Sequence, residues 1–519
     1  GGIYGSSLSD KELTTEIMAV EGCLSAGIPL SALSNSNMKA FLHHVGVKLP
    51  GARHLSNHIT FIEKKEEQLI LEELGDSNYS VVFDETPYRC ACFGVGIRFI
   101  NKDGEMTQRL LSLSMLSKSM DFKAINSEVI KMIVDEYKLD RDRCRAFMLD
   151  GCAANLKALG SSLINFRFSV GVRCFSHLLS NIGNELASAD TDKFAGNLHV
   201  LLDHSQNAKD LWLQETKVPP PKPNSHRWSS RLERNNTLVV NWQGATKFID
   251  KIITTDESRA KSATALREEL GRVRPDGIHQ ELVLQLGFSL AVDVGIHLTR
   301  ATHLLEGDGF LVRLFVRKGL SLNQDCFGEF DNNVNMPNVR GLVGEYCLSV
   351  NDDGAWKKWL ETKARDELLV RKYAWDRIRD HPGAIERETL RLFEGARLLN
   401  FTFVKQHELG FADIDTLGEV FPFVTTTVLH QLVTDKDEYN IAASNTDAGI
   451  DLWAFWNDHR VKLPSWYAVA KDVALIQPSS AFKERVFSLL RACMDERQEG
   501  SFSDRIAASA LLKYNRRSD

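Results

Sequence analysis

The chain predicts an α/β protein: a mixed β-sheet with flanking helices, preceded by a helical N-terminal region and interrupted by a large all-α insertion. Three observations carry this reading. Apolar residues at helical spacing give way to short strand-like runs near residue 79. Those runs come first as a hairpin meander and then as β-α-β units. From about residue 230 to 450 helical patterns dominate again.

In chain order, residues 10 to 75 read as helical. "DKELTTEIMAVEGCL" places its apolar residues at helical spacing, and "ITFIEKKEEQLILEELG" ends on a glycine stop. "YSVVFD" reads as a strand. "CFGVGIRFI" (92–100) alternates, "NKDG" (101–104) is a turn and "QRLLSLSM" (108–115) returns as the third strand. A helix is expected around "NSEVIKMIVDEYKL". Then follow a strand "CRAFMLD" (144–150), a helix from about Ala153, a strand "FSVGVRCF" (168–175) and a helix from about His177. "VPPPKP" (218–223) is a stiff spacer. Beyond the helical stretch, "LWAFW" (452–456) opens a last helical section. The expected division is therefore 1–75 as a helical N-terminal region with a possible DNA-binding or dimerisation role, and 76–229 as the first part of the core. The helical insertion is expected at 230–450 and the C-terminal part of the core at 451–519.

A chain of 519 residues holds two or three domains. With 43% apolar and 25% charged residues and a net charge of −6, it has the balance of a globular protein and is not basic overall. Local basic faces on nucleic acid remain compatible with that balance. No run is expected to reach the length of a membrane span, no signal peptide is apparent, and no membrane partner is expected. The opening Gly1-Gly2 reads as a remnant of cloning, with the natural N-terminus expected to be missing. Nine scattered cysteines suit reduced thiols in a cytoplasm or nucleus better than a disulfide framework.

Two acids end strands: Asp84 the first and Asp150 the fourth. If the meander pairs as described, those ends are neighbours, and two carboxylates there repel unless a cation lies between them. Paired hard oxygen ligands favour Mg²⁺ or Mn²⁺, and two such ions suit phosphoryl transfer. A third acid is Glu484 in "PSSAFKERVFSLLRACM" (478–494), a helix capped by Ser479 or Ser480 behind Pro478. Its apolar stripe is Phe482, Val486, Leu489, Leu490 and Cys493, with Glu484 on the other side in line with Ser488 and Arg491. The ordinary alternatives are an Asp that closes a turn or caps a helix, and a Glu that complements the dipole of its first turn.

Six segments, in order, resemble the hAT superfamily of DNA transposases. They are "AGIPLSALSNSNMKAFL", "VVFDETPYRCACFGVGIRF", "FMLDGCAANLKAL" with Asn155 downstream of Asp150, "RCFSHLLSNIGNEL" with its Cys174 and His177 pair, "HRWSSRLER" with Arg227 and Trp228, and "PSSAFKERVFSLL". The resemblance covers about residues 20 to 517, weakly in the middle. It implies an RNase H-like core interrupted by a helical insertion between the second Asp and the Glu. The spacing agrees, with 66 residues from Asp84 to Asp150 and 334 from Asp150 to Glu484.

The resemblance further implies that Asp84, Asp150 and Glu484 bind two Mg²⁺ or Mn²⁺ ions and carry out cut-and-paste transposition on transposon-end and target DNA. A hairpin forms on the flanking DNA, and Trp228 holds a base that has left the stack; the ordinary reading of Trp228 is a packing residue. Cys174 and His177 take a structural role; two ligands do not make a structural zinc site, though Cys90 and Cys92 could add two more from another strand. His226, Arg227, Arg231, Arg234 and the tail "KYNRRSD" are candidate phosphate contacts or simply solvated basic surface. No zinc finger of the BED type is apparent, so the element that recognises transposon ends is not located. A dimer or higher oligomer in the nucleus is expected, with the helix "FSDRIAASALLKYN" packing on the core or on another subunit. The alternatives are a domesticated, non-cutting DNA- or chromatin-binding descendant and a nuclease of related fold.

Overall fold

The computed structural model describes residues 9–86, 91–116, 119–184, 188–221, 228–275, 277–306, 337–339, 341–342, 362, 385–493 and 503–516. It divides into two compact units. Unit 1 comprises Gly1–Cys174, Glu306–Arg313 and Glu388–Asp519; unit 2 comprises Phe175–Leu305 and Leu314–Arg387.

Unit 1 holds a five-stranded mixed sheet of order β3-β2-β1-β4-β5. The strands are β1 (Tyr79–Thr86), β2 (Ala91–Ile100), β3 (Met106–Leu116), β4 (Cys144–Leu149) and β5 (Val170–Arg173). β1, β2 and β3 pair antiparallel, while β4 runs parallel to β1 and β5 parallel to β4. The meander followed by β-α-β units is thus observed, with β5 shorter than expected because a helix begins at Phe175. The central strands are apolar on both faces: Val81, Val82, Phe83, Phe147, Met148 and Leu149 are all buried. Phe122–Ile130 (α5) leads into a π-helical turn over Lys131–Glu136 ahead of β4, and Ala153–Asn165 (α6) joins β4 to β5.

The N-terminal helices are α1 (Asp10–Ala26), α2 (Ser36–His44), α3 (Ala52–Leu55) and α4 (Ile59–Leu74). Ser9 and Glu12 form a capping box on α1, and Gly27 closes it in the left-handed conformation. These helices are part of unit 1. The C-terminal helix Ser503–Asn515 packs on α1, where the Ser509 hydroxyl donates to the Leu24 carbonyl at 2.6 Å. Beyond it, Arg516 Nε donates to Glu66 Oε2 at 2.9 Å. Core packing is therefore the observed role of this helix within unit 1.

The helix Ala481–Cys493 packs on β1 through a gap that two glycines leave on β2. A Cβ on Gly96 would stand 2.3 Å from the Phe482 ring, and one on Gly94 would stand 3.0 Å from Lys483 Nζ. Phe482 in turn stacks edge-on against Tyr514, with ring centroids 4.9 Å apart. β3 carries a bulge opposite Val95 and Gly96, and Asn515 satisfies the backbone there: its Oδ1 accepts from Leu110 N at 2.8 Å and its Nδ2 donates to Leu110 O at 3.0 Å.

Unit 2 is helical among its described residues: α7 (Phe175–Asn184), α8 (Ala189–Leu202), α9 (Gln206–Thr216), α10 (Trp228–Val240), α11 (Trp242–Thr255), α12 (Glu257–Gly271) and α13 (Gln280–Leu305). Its core gathers Phe194, Trp212, Trp242, Phe248 and Phe288. This shared core explains why the unit begins at Phe175 rather than near 230: α8 and α9 supply Phe194 and Trp212, and neither can be buried without α11. At the other end, the helices from Ile385 to His459 bury Phe401, Tyr439 and Trp456 together with Trp466 of the next helix. That aromatic cluster holds residues 388–450 in unit 1 rather than in the helical insertion.

One expectation is corrected. Gln280–Arg300 within α13 is long and apolar enough, by length and composition, to cross a membrane. Its charges are confined to Glu281, Asp293 and Arg300, so the window stays apolar without any unbroken apolar run. Most of it is buried, including Leu284, Phe288, Leu290 and Ala291.

Gly96→Ala is expected to lower stability by about 2–3 kcal/mol, because the aromatic ring at 2.3 Å cannot yield without opening the core. Gly94→Ala meets the end of the Lys483 chain at 3.0 Å and otherwise makes ordinary contacts with Leu113 and Lys483, and is expected to cost less, about 1 kcal/mol. Urea denaturation midpoints of the two variants at constant slope check this contrast.

Candidate active site

Asp84 lies within β1 and Asp150 directly follows β4, the strand parallel to it. Val82 of β1 pairs with Met148 of β4, and each acid lies two residues beyond its paired residue. In a parallel ladder, residues in register share a face and side chains repeat every two residues. Asp84 and Asp150 therefore leave the same face of the sheet on neighbouring strands; Asp84 does not end its strand as expected, because β1 stays paired with β2 as far as Thr86. Asp84 is 7% exposed. Its Oδ1 accepts from Glu85 N at 2.9 Å.

Asp150 is half-buried at the start of the turn into α6. Its Oδ1 accepts from Cys152 N at 2.9 Å and from Asn155 Nδ2 at 2.7 Å. Asn155 is itself buried, and both donors fix the carboxylate's orientation. The Arg173 guanidinium, at the end of β5, packs over Gly151. Burial lowers its proton affinity and the Asp150 charge raises it again.

Glu484 sits in the first turn of Ala481–Cys493 and is half-buried. The expected stripe is observed for Phe482, Val486, Leu489 and Leu490, all buried, while Ser488 and Arg491 are exposed; the side chain of Cys493 lies outside the described residues. The approach of this helix is fixed from several sides. Ser480 N donates to Cys174 Sγ at 3.2 Å. Gln477 N donates to Met148 Sδ at 3.0 Å. Arg485 Nη2 donates to Gln108 Oε1 at 3.0 Å. Gly94 is the register partner of Asp84. The first turn pressed on Gly94 therefore lies on the face that carries the Asp84 side chain.

Sequence reasoning missed Lys483. It is fully buried, and its Nζ has no hydrogen-bond partner. Burial pushes its ammonium well below the usual lysine range, and the Asp84 carboxylate opposes that shift. The hydroxyls of Ser479 and Ser480 are likewise buried without a partner. The signal was present in the helix phase: Lys483 adjoins Phe482 on the buried side of a turn whose next residue is Glu484. Among the described residues the carboxylates of Asp84, Asp150 and Glu484 do not close to within 4.8 Å of one another as a set of three.

A group that does meet this criterion lies elsewhere in unit 1. Glu16, His54 and His58 each offer one ligand atom, all within 4.8 Å of one another, and together they can hold a metal ion. The four-residue spacing of the two histidines is visible in the sequence, but their partner on α1 is not.

Of the expected DNA contacts, His226 and Arg227 lie outside the described residues. Trp228 opens α10, and its side chain lies outside them too. Arg231 and Arg234 share one carboxylate inside unit 2: Nη1 of Arg231 is 3.3 Å from Asp192 Oδ2, and Nη2 of Arg234 is 3.2 Å from Asp192 Oδ1. Arg234 is buried and also bonds Asn235. In the tail, Arg516 is engaged by Glu66 and Glu21. His177, of α7, belongs to unit 2, whereas Cys174 belongs to unit 1. Cys90, the other possible zinc ligand beside Cys92, lies outside the described residues.

No family model and no curated protein sequence matches this chain.

Asp192→Ala is expected to destabilise by about 2 kcal/mol, since it leaves the buried Arg234 guanidinium without its carboxylate. Chemical denaturation followed by tryptophan fluorescence reads this, because Trp212 and Trp242 lie in the core of the same unit.

Proposed function

We propose that the chain is a metal-dependent DNA transposase of the hAT type, with an RNase H-like catalytic core split by a helical insertion. One observation carries the reading: the β1–β4 register sets Asp84 and Asp150 side by side on one face, and the Glu484 helix lands on that same face at Gly94. A sheet of order β3-β2-β1-β4-β5, with two antiparallel pairings on one side of β1 and two parallel pairings on the other, supports the RNase H-like assignment.

The donor set fits hard divalent ions. All three candidate ligands are carboxylates, the hard oxygen donors that such ions prefer. Two Mg²⁺ or Mn²⁺ ions supply, when bound, an activated oxygen nucleophile and charge stabilisation for the leaving oxygen. Asp84, Asp150 and Glu484 are the residues that would hold them. Cys152 N and Asn155 keep the Asp150 carboxylate aligned, and Cys174 and Arg485 hold the Glu484 helix in place.

In this reading water attacks the phosphodiester beside the transposon end. The freed 3′-hydroxyl attacks the opposite strand, leaving a hairpin on the flanking DNA, and the excised end is then joined to target DNA. Trp228 takes the base displaced during hairpin formation, with Arg227, His226 and Arg231 on the phosphates. Two ends handled together call for a dimer or higher oligomer, acting in the nucleus.

The purified protein is expected to cleave DNA bearing the inverted repeats that flank its gene, with hairpin products, in Mg²⁺ or Mn²⁺ and not in EDTA. Asp84→Asn, Asp150→Asn and Glu484→Gln, each with an unchanged circular dichroism spectrum, are expected to lower the rate by at least about 100-fold. Specific binding of those repeats without any cleavage by the unmutated chain would sink the transposase reading and favour a domesticated DNA- or chromatin-binding descendant.

A further inference from the structure

The second metal-capable group lies in the N-terminal helices and plays no part in the carboxylate site. Glu16 comes from the middle of α1, His54 from α3, and His58 from the 3₁₀ turn Ser56–His58 that leads into α4. The Glu16 side chain is 5% exposed, that of His58 14% and that of His54 51%. Both imidazoles turn Nε2 towards the same carboxylate oxygen. His58 Nε2 is 2.8 Å from Glu16 Oε2 and His54 Nε2 is 3.6 Å from it. The two rings stand edge to face, 6.1 Å between centroids and 74° between planes, so their lone pairs converge from different directions.

The charge on Glu16 is the second argument. A buried carboxylate is costly unless it is paired. Glu66 on α4, equally buried, has Arg516. Among the described residues the ion-pair partners of Glu16 are these two imidazoles, which carry charge only when protonated. A cation at the centre of the group would give the carboxylate its counter-charge and use both ring nitrogens as donors.

We propose that Glu16, His54 and His58 form a zinc site that ties α1 to the α3 turn. Two imidazoles and one carboxylate are a borderline donor set that suits Zn²⁺ rather than the all-oxygen preference of Mg²⁺. With bonds of about 2.0–2.1 Å, tetrahedral geometry sets ligand atoms roughly 3.4 Å apart. The Glu16–His58 contact opens slightly to reach that spacing, and His54, the half-exposed member, closes onto it. Three protein ligands leave the fourth position on the solvent side of His54, for water or a further ligand. The site stands whether or not the chain is a transposase.

The test uses the whole chain, freed of metal by chelation and kept in excess Mg²⁺ so that hard carboxylate sites are occupied. Zn²⁺ titration by calorimetry is expected to show one saturable site and a rise in melting temperature on binding. Co²⁺ is expected to give the visible absorption of tetrahedral coordination. His54→Gln changes an exposed residue and leaves the fold intact by circular dichroism; it is expected to weaken Zn²⁺ binding by tenfold or more and to abolish the Co²⁺ spectrum. Glu16→Gln and His58→Gln are expected to do the same. Absence of saturable Zn²⁺ binding by the unmutated chain overturns the proposal, as does binding that falls by less than tenfold in the folded His54→Gln variant. Asp150→Asn is expected to leave Zn²⁺ affinity and the Co²⁺ spectrum unchanged, which separates this site from the carboxylates of the sheet.

Discussion

The arrangement of unit 1 depends on bare backbone at Gly94 and Gly96. A helix can rest its first turn directly on a sheet only where the strand beneath presents no side chains, and β2 presents none at the two positions where Phe482 and Lys483 arrive. Because Gly94 is paired with Asp84, this landing point also decides which residues meet. The helix brings an acid in its first turn to the face from which the Asp84 and Asp150 carboxylates emerge. A single side chain at Gly96 would lift the helix from the sheet, and with it Glu484.

Lys483 shows how unusual that meeting place is. A lysine buried to this degree without a hydrogen bond is costly on its own. Burial disfavours its charged form, and the nearby Asp84 carboxylate offsets part of that effect. The surrounding hydroxyls of Ser479 and Ser480 are polar groups in a dry setting without partners. Packing alone does not call for so many polar groups at one helix start. A site that handles charged oxygens does, which is the physical content of the phosphoryl-transfer proposal.

Much of the sheet was legible in the sequence. Strand-length runs from "YSVVFD" to "FSVGVRCF" stand between clear turn signals, and parallel pairing of β1 with β4 follows from the helical crossover between β3 and β4. The position of Asp84 beside Asp150 followed from that order. The unit boundary was not legible, because it depends on which aromatic residues share a core: Trp212 joins Phe248 across a stretch that holds the proline spacer, and Trp466 gathers Tyr439 and Trp456 into the other unit. Lys483 and the Glu16–His54–His58 group were missed for a related reason. Each depends on a partner far along the chain, and periodicity reports only which face of an element is apolar, not what the opposite element brings to it.

The last described residues also close the third strand, since Asn515 satisfies both backbone groups of Leu110 beside the bulge in β3. During synthesis this gives the core an unusual timetable. The meander is made early, but the helices that cover its glycine-bare face come almost at the end of the chain. At ordinary translation speeds the gap is roughly 20 to 80 s. For that interval an apolar sheet surface stays uncovered, while the intervening helices of unit 2 can already collapse around their own tryptophans. Unit 1 thus waits for helices made long after its meander, and a nascent chain that still lacks Ser503–Asn515 would leave that unit open to association with its neighbours on the polysome.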